Sequence, residues 1–285
     1  MDADPGAIDA RRVRRRADRA ARTYLAAARL EAEIGSRMLE RLDYVRLQPH
    51  RILDAGSGPP QRALGRRYPS AQVVAVDFSL GMLRAAPRGW PLLGPPAPAR
   101  VCADLRALPL QAGSVHLAWS NMALHWVPDP LRALRDLHRV LAAEGLVMFS
   151  TLGPDTLREL RDAQAGRVHA FIDMHDWGDM LVEAGFSAPV MDVERLTLVY
   201  RDGDSVLSDL RRSGQVHAQG RGEPGLRGRR FRGALSQALL SLRRGDGLPL
   251  SFEVIYGHAW KGAPRKTADG RAVVKLERGA LERKR

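Results

Sequence analysis

The segment Arg51-Ile52-Leu53-Asp54-Ala55-Gly56-Ser57-Gly58-Pro59-Pro60 begins as an apolar strand and runs into a glycine turn. A turn of this kind opens a doubly wound α/β unit, where ligands bind outside the carboxyl ends of the strands. Glycine there lets the backbone approach a ligand closely. Two prolines directly after the turn are unusual. Because the first turn of a helix tolerates proline, Pro59-Pro60 are predicted to start the helix that follows.

Strand and helix alternate outward from this point. AQVVAVDF (71–78) is a second apolar strand ending in Asp77, followed by helical SLGMLRAA. A proline-rich linker leads to a short strand at 100–103 and to Asp104. SVHLAWSN (114–121) is a fourth strand, PLRALRDLHRVLA an amphipathic helix and GLVMFSTL (145–152) a fifth strand. Such alternation predicts a parallel sheet with right-handed crossovers. Further on, MHDWGDMLVEAGF reads as a helix ending at Gly185, VMDVERLTLVY as a strand and SFEVIYGHAW as a last strand. Between those two strands, SVLSDLRRSG and FRGALSQALLSLRR read as helices around a Gly/Arg-rich loop, a helical lid over about 201–247 on an antiparallel sheet edge. Upstream, Tyr24, Ala28, Leu30, Ile34, Met38, Leu39 and Leu42 recur at helical spacing, so 9–47 is predicted to be helical throughout. The expected architecture is therefore α/β, a doubly wound and mostly parallel seven-stranded sheet within 48–261. An N-terminal helical arm (1–47) covers it, and a basic, disordered tail (262–285) follows.

Composition narrows the class. No apolar run approaches the roughly 18 to 20 residues a membrane span needs, and the N-terminus lacks a signal-peptide core, so cytoplasm is the expected location. Cys102 is the only cysteine, which excludes an internal disulfide and a cysteine-cluster metal site. The net charge of +13, carried mostly by arginine, has three readings: nucleic-acid binding, scattered solvated arginines, or an acidic protein partner. No aromatic residues interleave with the basic runs, which weakens the first.

The acids at the strand ends select a ligand class. Asp54 precedes the glycines, Asp77 stands about 20 residues on, where a carboxylate accepts ribose hydroxyls, and Asp104 is placed for an adenine amino group. A dinucleotide fingerprint needs a third glycine near position 61, where Gln61 and Arg62 stand instead. An acid immediately before the glycines suits an ammonium and a sulfonium. The pattern favours S-adenosylmethionine over NAD.

LDAGSG, VVAVDFSLGMLRAA, CADLRALPL, SVHLAWSNMALHWVPDP and HRVLAAEGLVMFSTLGPDTLREL together resemble the class I methyltransferases with their Rossmann-like fold. The chain is most similar to the malonyl-acyl-carrier-protein O-methyltransferases of biotin synthesis, the BioC family. RRVRRRADRAARTY, FIDMHDWGDMLVEAGF and VIYGHAW extend the resemblance over about 9–261. GPDTLREL and FIDMHDWGD are its more specific blocks. Ser57 and Pro60 depart from the family's G-C-G-x-G loop, and Leu25 from its usual Asp.

The resemblance implies S-adenosylmethionine bound by Asp54, Gly56, Gly58, Asp77, Met82, Asp104, Leu105 and Asn121, with no metal. It implies methylation of the free carboxylate of a malonyl group on acyl-carrier protein or coenzyme A, with no specific nucleic acid or membrane as partner, and a monomer is expected. That carboxylate is ionised at neutral pH, so orientation and dehydration suffice without a general base. Tyr24 is expected to cover the methyl donor, Asn121 to contact donor or acceptor, and Arg158, on the GPDTLREL helix, to grip the carboxylate. His125 and His175 have no triad or metal partner in the pattern. Two other readings stay open: a methyltransferase for a different acceptor, including the branch related to arginine-modifying complex I assembly factors, and a degenerate fold serving as a basic binding module.

Overall fold

The computed structural model of the chain describes residues 8–85, 96–162, 170–212, 239–245 and 247–263. Seven strands form one sheet: β1 (Arg51–Ala55), β2 (Gln72–Asp77), β3 (Ala99–Cys102), β4 (Val115–Asn121), β5 (Leu141–Leu152), β6 (Ser187–Tyr200) and β7 (Leu248–Trp260), in the order β3-β2-β1-β4-β5-β7-β6. The first five run parallel, and β7 inserts antiparallel between β5 and β6. Central strands are apolar without alternation because both their faces are covered. Val73 to Val76 of β2 and Leu146 to Phe149 of β5 are all buried. β6, at the edge, alternates between half-buried and exposed positions along most of its length.

One face of the sheet is covered from the N-terminus. After α1 (Ala10–Ala20) and α2 (Tyr24–Ala27), α3 (Arg29–Arg41) packs Ile34 and Met38 against Ile52, Leu117, Trp119 and Met148. Its arginines tie it to the far edge. Arg37 pairs with Glu194, Arg41 pairs with Asp192 at 2.8 Å, and the Arg41 guanidinium lies 4.1 Å from the Tyr256 ring centroid. The other face takes α6 (Pro130–Val140) and α8 (Met174–Glu183), whose Leu134, Leu137, Trp177 and Leu181 meet Leu53, Ala118, Val147 and Phe149.

Both helices carry their boundaries in the sequence. Asp129 caps α6 by accepting from the Arg132 N–H at 3.0 Å, with Pro130 at the first helical position. At its other end, Lys261 Nζ donates to the carbonyls of His138 and Leu141 at 2.8 and 2.7 Å, a cation on the negative pole of the helix. Asp173 caps α8, and Gly185 at φ +97° ends it, the Gly185 and Phe186 N–H groups donating back to Val182 and Leu181.

Several expectations need correction. The arm is not helical throughout: it breaks at 21–23, where Thr23 N–H and Oγ1 both donate to the Ala20 carbonyl, and again at Ala28, which has ψ +53°. Pro59 and Pro60 do not start the helix, since α4 (Ala63–Arg67) begins three residues later. A residue before proline is disfavoured in the helical region, which acts on Pro59, and both prolines are buried. The helix after β2 is shorter than predicted, α5 (Leu80–Arg84), and β5 starts at Leu141 rather than 145. α7 (Arg158–Asp162) and α9 (Gly203–Arg212) complete the described helices named here. Most of the predicted lid, residues 213–238 and 246, and the tail from 264 lie outside the described residues. No described helix is long and apolar enough to cross a membrane.

Candidate functional site

Strand order reverses between β1 and β4, so their carboxyl ends open a crevice at the switch point. A hollow of about 860 Å³, counted with its open mouth, lies there. Its walls are Gly56, Gly58, Asp77, Phe78, Met82, Asp104, Leu105 and the post-β4 loop from Asn121 to Ala123 and Trp126 to Pro128. Ala10, Val13, Ala17 and Tyr24 of the arm close the remaining side.

The glycine turn is shaped by what passes next to it. Gly56 adopts φ +75°, and a Cβ there would overlap that of Ala123. Gly56 and Ser57 N–H groups donate to the Val76 carbonyl at 2.8 and 3.0 Å, folding the turn onto the end of β2. Asp77 then accepts from the Gly58 N–H at 2.9 Å and from the Ser79 N–H at 2.8 Å. The Tyr24 ring sits over Gly58, within 3.6 to 3.9 Å of where a Cβ would stand.

Two carboxyl groups with raised proton affinity, Asp77 in the lining and Asp54 behind it, dominate the electrostatics here. Burial pushes Asp54 up to about 7, with Asp77 adding to the shift. Burial likewise raises Asp77 to about 6, opposed by the two N–H donors and reinforced by Asp18. Burial and the charges of Glu31, Asp77 and Asp54 hold the Tyr24 phenol well above its usual value, so it stays protonated. The described lining contains no Lys, Arg or His.

The arm reaches the hollow by a specific seat. Asp18 Oδ1 accepts from Ser79 Oγ at 2.6 Å and from the Gly81 N–H at 3.1 Å, while Ser79 Oγ also accepts from the Met82 N–H that it caps. A Cβ on Gly81 would lie 2.9 Å from Asp18 Oδ1 and 3.2 Å from its Cα, so a larger residue would press α1 back from α5. Ala20, Ala21 and Met82 bury the contact.

Comparison with known proteins decides the family. A model of the methyltransferase domain matches residues 53–149. A malonyl-acyl-carrier protein O-methyltransferase of Gallionella capsiferriformans is 49% identical, with 94% of this chain and 96% of that protein covered. Its namesake in Laribacter hongkongensis is also 49% identical at the same coverage, and that of Halorhodospira halophila is 44% identical over 99% of this chain and 98% of its own. The chain belongs to the malonyl-acyl-carrier protein O-methyltransferase family. Among solved structures, the YcgJ protein of Bacillus subtilis shares the fold, with a TM-score of 0.58 at 18% identity, covering 80% of this chain and all of that one.

Set against the expectations for such a methyltransferase, Gly56, Gly58, Asp77, Met82, Asp104, Leu105, Asn121 and Tyr24 converge on the hollow. Asp54 acts from behind the lining, close enough for its charge to be felt by Tyr24. Asp104 is already engaged: Arg106 Nη2 meets its Oδ2 at 2.7 Å, and the Arg106 N–H donates to its Oδ1 at 2.9 Å, which holds its carboxyl below the usual range. Asn121 is likewise tied into the fold, its Nδ2 donating to the Glu31 carbonyl and its Oδ1 accepting from Ser150 Oγ, both at 2.8 Å.

Arg158 does not join them. It is exposed at the start of α7 and does not line the hollow. Its GPDTLREL block is fastened to β7 instead. Thr156 Oγ1 donates to the Glu253 carbonyl at 3.1 Å, the Asp155 N–H donates to Glu253 Oε2 at 2.7 Å, and the Leu157 N–H to the Ser251 carbonyl at 2.7 Å. His125 is buried beside Thr151, and His175 is exposed with Asp173.

Sequence reasoning missed Phe78, Met122, Ala123, Trp126, Val127 and Pro128, and the inward stripe Ala10, Val13, Ala17. The post-β4 loop was open to inference from the switch-point rule alone. Met122, at φ +56°, is held by its N–H donating to the Ser150 carbonyl at 3.1 Å, and the turn aims its neighbours into the hollow.

Proposed function

We propose that this chain methylates the free carboxylate of a malonyl group carried on acyl-carrier protein, with S-adenosylmethionine as donor, yielding the malonyl methyl ester that opens pimeloyl synthesis for biotin. The observation carrying this is identity of 44 to 49% across nearly the full length of both chains to proteins of that name. The hollow's chemistry supports the donor. It offers a buried carboxylate at Asp77 with no cation among its described lining, a glycine cradle at Gly56 and Gly58, and apolar contacts at Met82 and Leu105.

Bound S-adenosylmethionine supplies an electrophilic methyl on a sulfonium. Asp77 would accept the ribose hydroxyls on lone pairs left free by Gly58 and Ser79, and Asp54 would stabilise the positive charge. Leu105 and Met82 would give the base apolar contact, and Asp104 would accept from its amino group. Tyr24, Met122 and Trp126 exclude water from the reacting carboxylate, which arrives ionised and needs no base. A carboxylate oxygen of the acceptor would take the methyl group, and the electrons of the broken carbon–sulfur bond would remain on sulfur.

Mass spectrometry after incubation with methyl-labelled donor tests this, using carrier loaded with malonyl, succinyl or acetyl groups. One methyl on malonyl-carrier, with little on succinyl and none on acetyl, is expected. Unmodified malonyl-carrier, or equal labelling of succinyl, refutes the assignment.

A further inference from the structure

Several arginines hold carboxylates: Arg37 with Glu33, Arg67 with Asp43, Arg106 with Asp104, Arg135 with Glu183, Arg139 with Asp136 and Arg195 with Asp155. Others, such as Arg46, Arg66, Arg84 and Arg158, are exposed without an ion pair but stand singly among the described residues, whereas α1 gathers several. Arg11, Arg14, Arg15 and Arg19 of α1, and Arg22 just beyond it, are exposed and form no ion pair among the described residues.

Nothing in the helix itself calls for them. Arg11, Arg15 and Arg19 stack at successive four-residue spacings, where like charges destabilise a helix by a few tenths of a kcal/mol per pair. Arg11 also stands in a first turn that has no acid, at the positive end of the helix dipole. The helix is kept by its other face: the Asp9 cap, the Asp18 seat on α5, and Val13, Ala17 and Ala20 packed inward. α1 thus has two electrical sides. Its inner side walls a hollow whose ionisable lining groups are Tyr24, Asp77 and Asp104, and its outer side presents cations over the roughly 16 Å of an eleven-residue helix. That length is within two screening lengths at 0.1 M salt, so the charges act on an approaching partner as one field.

We propose that the outer face of α1 docks an acidic protein surface, that of the carrier bearing the malonyl group. This rests on the function proposed above. Arginine forks match surface carboxylates bidentately, and a partner held on the wall of the hollow has a short path for its acyl arm. α1 contains no aromatic residue on which a nucleic-acid base would stack, which favours protein over single-stranded RNA or DNA.

The test compares Arg11→Glu/Arg15→Glu/Arg19→Glu with the parent chain on malonyl-carrier and on malonyl-pantetheine, which keeps the thioester and arm but lacks the protein. The triple variant should lose about tenfold or more in kcat/KM for malonyl-carrier, through KM, and change less than about twofold on malonyl-pantetheine. Raising salt from about 0.05 to 0.5 M should produce the same selective loss in the parent and little further loss in the variant. Unchanged affinity for S-adenosylhomocysteine would show that the arm still closes the hollow. If both substrates respond alike to the variant and to salt, the docking surface is refuted while the function stands. If the parent methylates neither substrate, the function itself falls. A variant that loses affinity for single-stranded RNA but turns over malonyl-carrier normally marks the strip as a nucleic-acid contact and overturns the proposal.

Discussion

Cofactor affinity should rise steeply between about pH 6 and pH 7.5, and the slope should belong mainly to Asp54. Both buried acids are shifted upward, Asp54 to about 7 and Asp77 to about 6. Protonation is therefore favoured in the empty protein, and the stability these groups contribute is present at low pH and lost as pH rises through about 6 and then about 7. A bound cation reverses that preference by favouring the ionised forms. If binding requires Asp54 ionised, its ionised share climbs from about 9% at pH 6 to about 76% at pH 7.5, an eightfold gain in affinity. Asp77 goes from about half to nearly fully ionised and adds about twofold, for roughly fifteenfold in total. Near pH 6.5 the two acids together should release about one proton per cofactor bound. Titration calorimetry of S-adenosylmethionine in buffers of different ionisation enthalpy reads both quantities. Asp54→Asn should lower affinity at pH 7.5 and leave only the shallow Asp77 dependence. A flat profile with proton-neutral binding in the parent, or an Asp54→Asn variant as steep as the parent, would refute the reasoning.

Three further outcomes follow from the geometry. Asp18→Ala removes the acceptor of Ser79 Oγ and the Gly81 N–H, and should speed S-adenosylhomocysteine dissociation severalfold in stopped-flow while costing about 1 to 2 kcal/mol of stability in urea; unchanged dissociation would show that the arm is not held by this seat. Gly56→Ala introduces a side chain at φ +75° against Ala123, and should abolish calorimetric cofactor binding and destabilise by about 2 kcal/mol or more, with Gly56→Ala/Ala123→Gly recovering only part because the backbone strain remains. Pro60→Gly should leave cofactor affinity within a fewfold and lower stability by about 0.4 to 1 kcal/mol through unfolded-state entropy; a large gain in affinity would show instead that the proline damages the turn.

What was legible in the chain was whatever short-range pattern dictates. The continuous apolar runs of β1, β2, β4 and β5 announced strands buried on both faces, and the acids Asp54 and Asp77 with the glycines between them announced the crevice. Contacts across long separations were not legible. The arm breaks at 21–23 and at Ala28 without a glycine or proline to mark it, because seating Tyr24 over Gly58 fixes that geometry. Asp18 meets Ser79 61 residues later in the chain, and no local pattern signals that pairing. Pro59-Pro60 favour a helix start, yet α4 begins only at Ala63 after Arg62, so the prolines belong to the buried turn instead.

The most distinctive blocks of the resemblance have a related lesson. FIDMHDWGD supplies the Asp173 cap and buries Trp177 against Phe149, ring centroids 5.3 Å apart, and GPDTLREL clasps β5 to β7 through Thr156 and Asp155. Both blocks secure the sheet, and neither supplies a side chain to the lining of the hollow. The lining combines glycines, small arm residues and strand-end acids with a larger apolar set that includes Met82, Leu105, Met122 and Trp126. With its inner side on an acid-bearing hollow and exposed arginines on its outer side, α1 is the described element at which recognition of the donor and of an acidic carrier can be tested together.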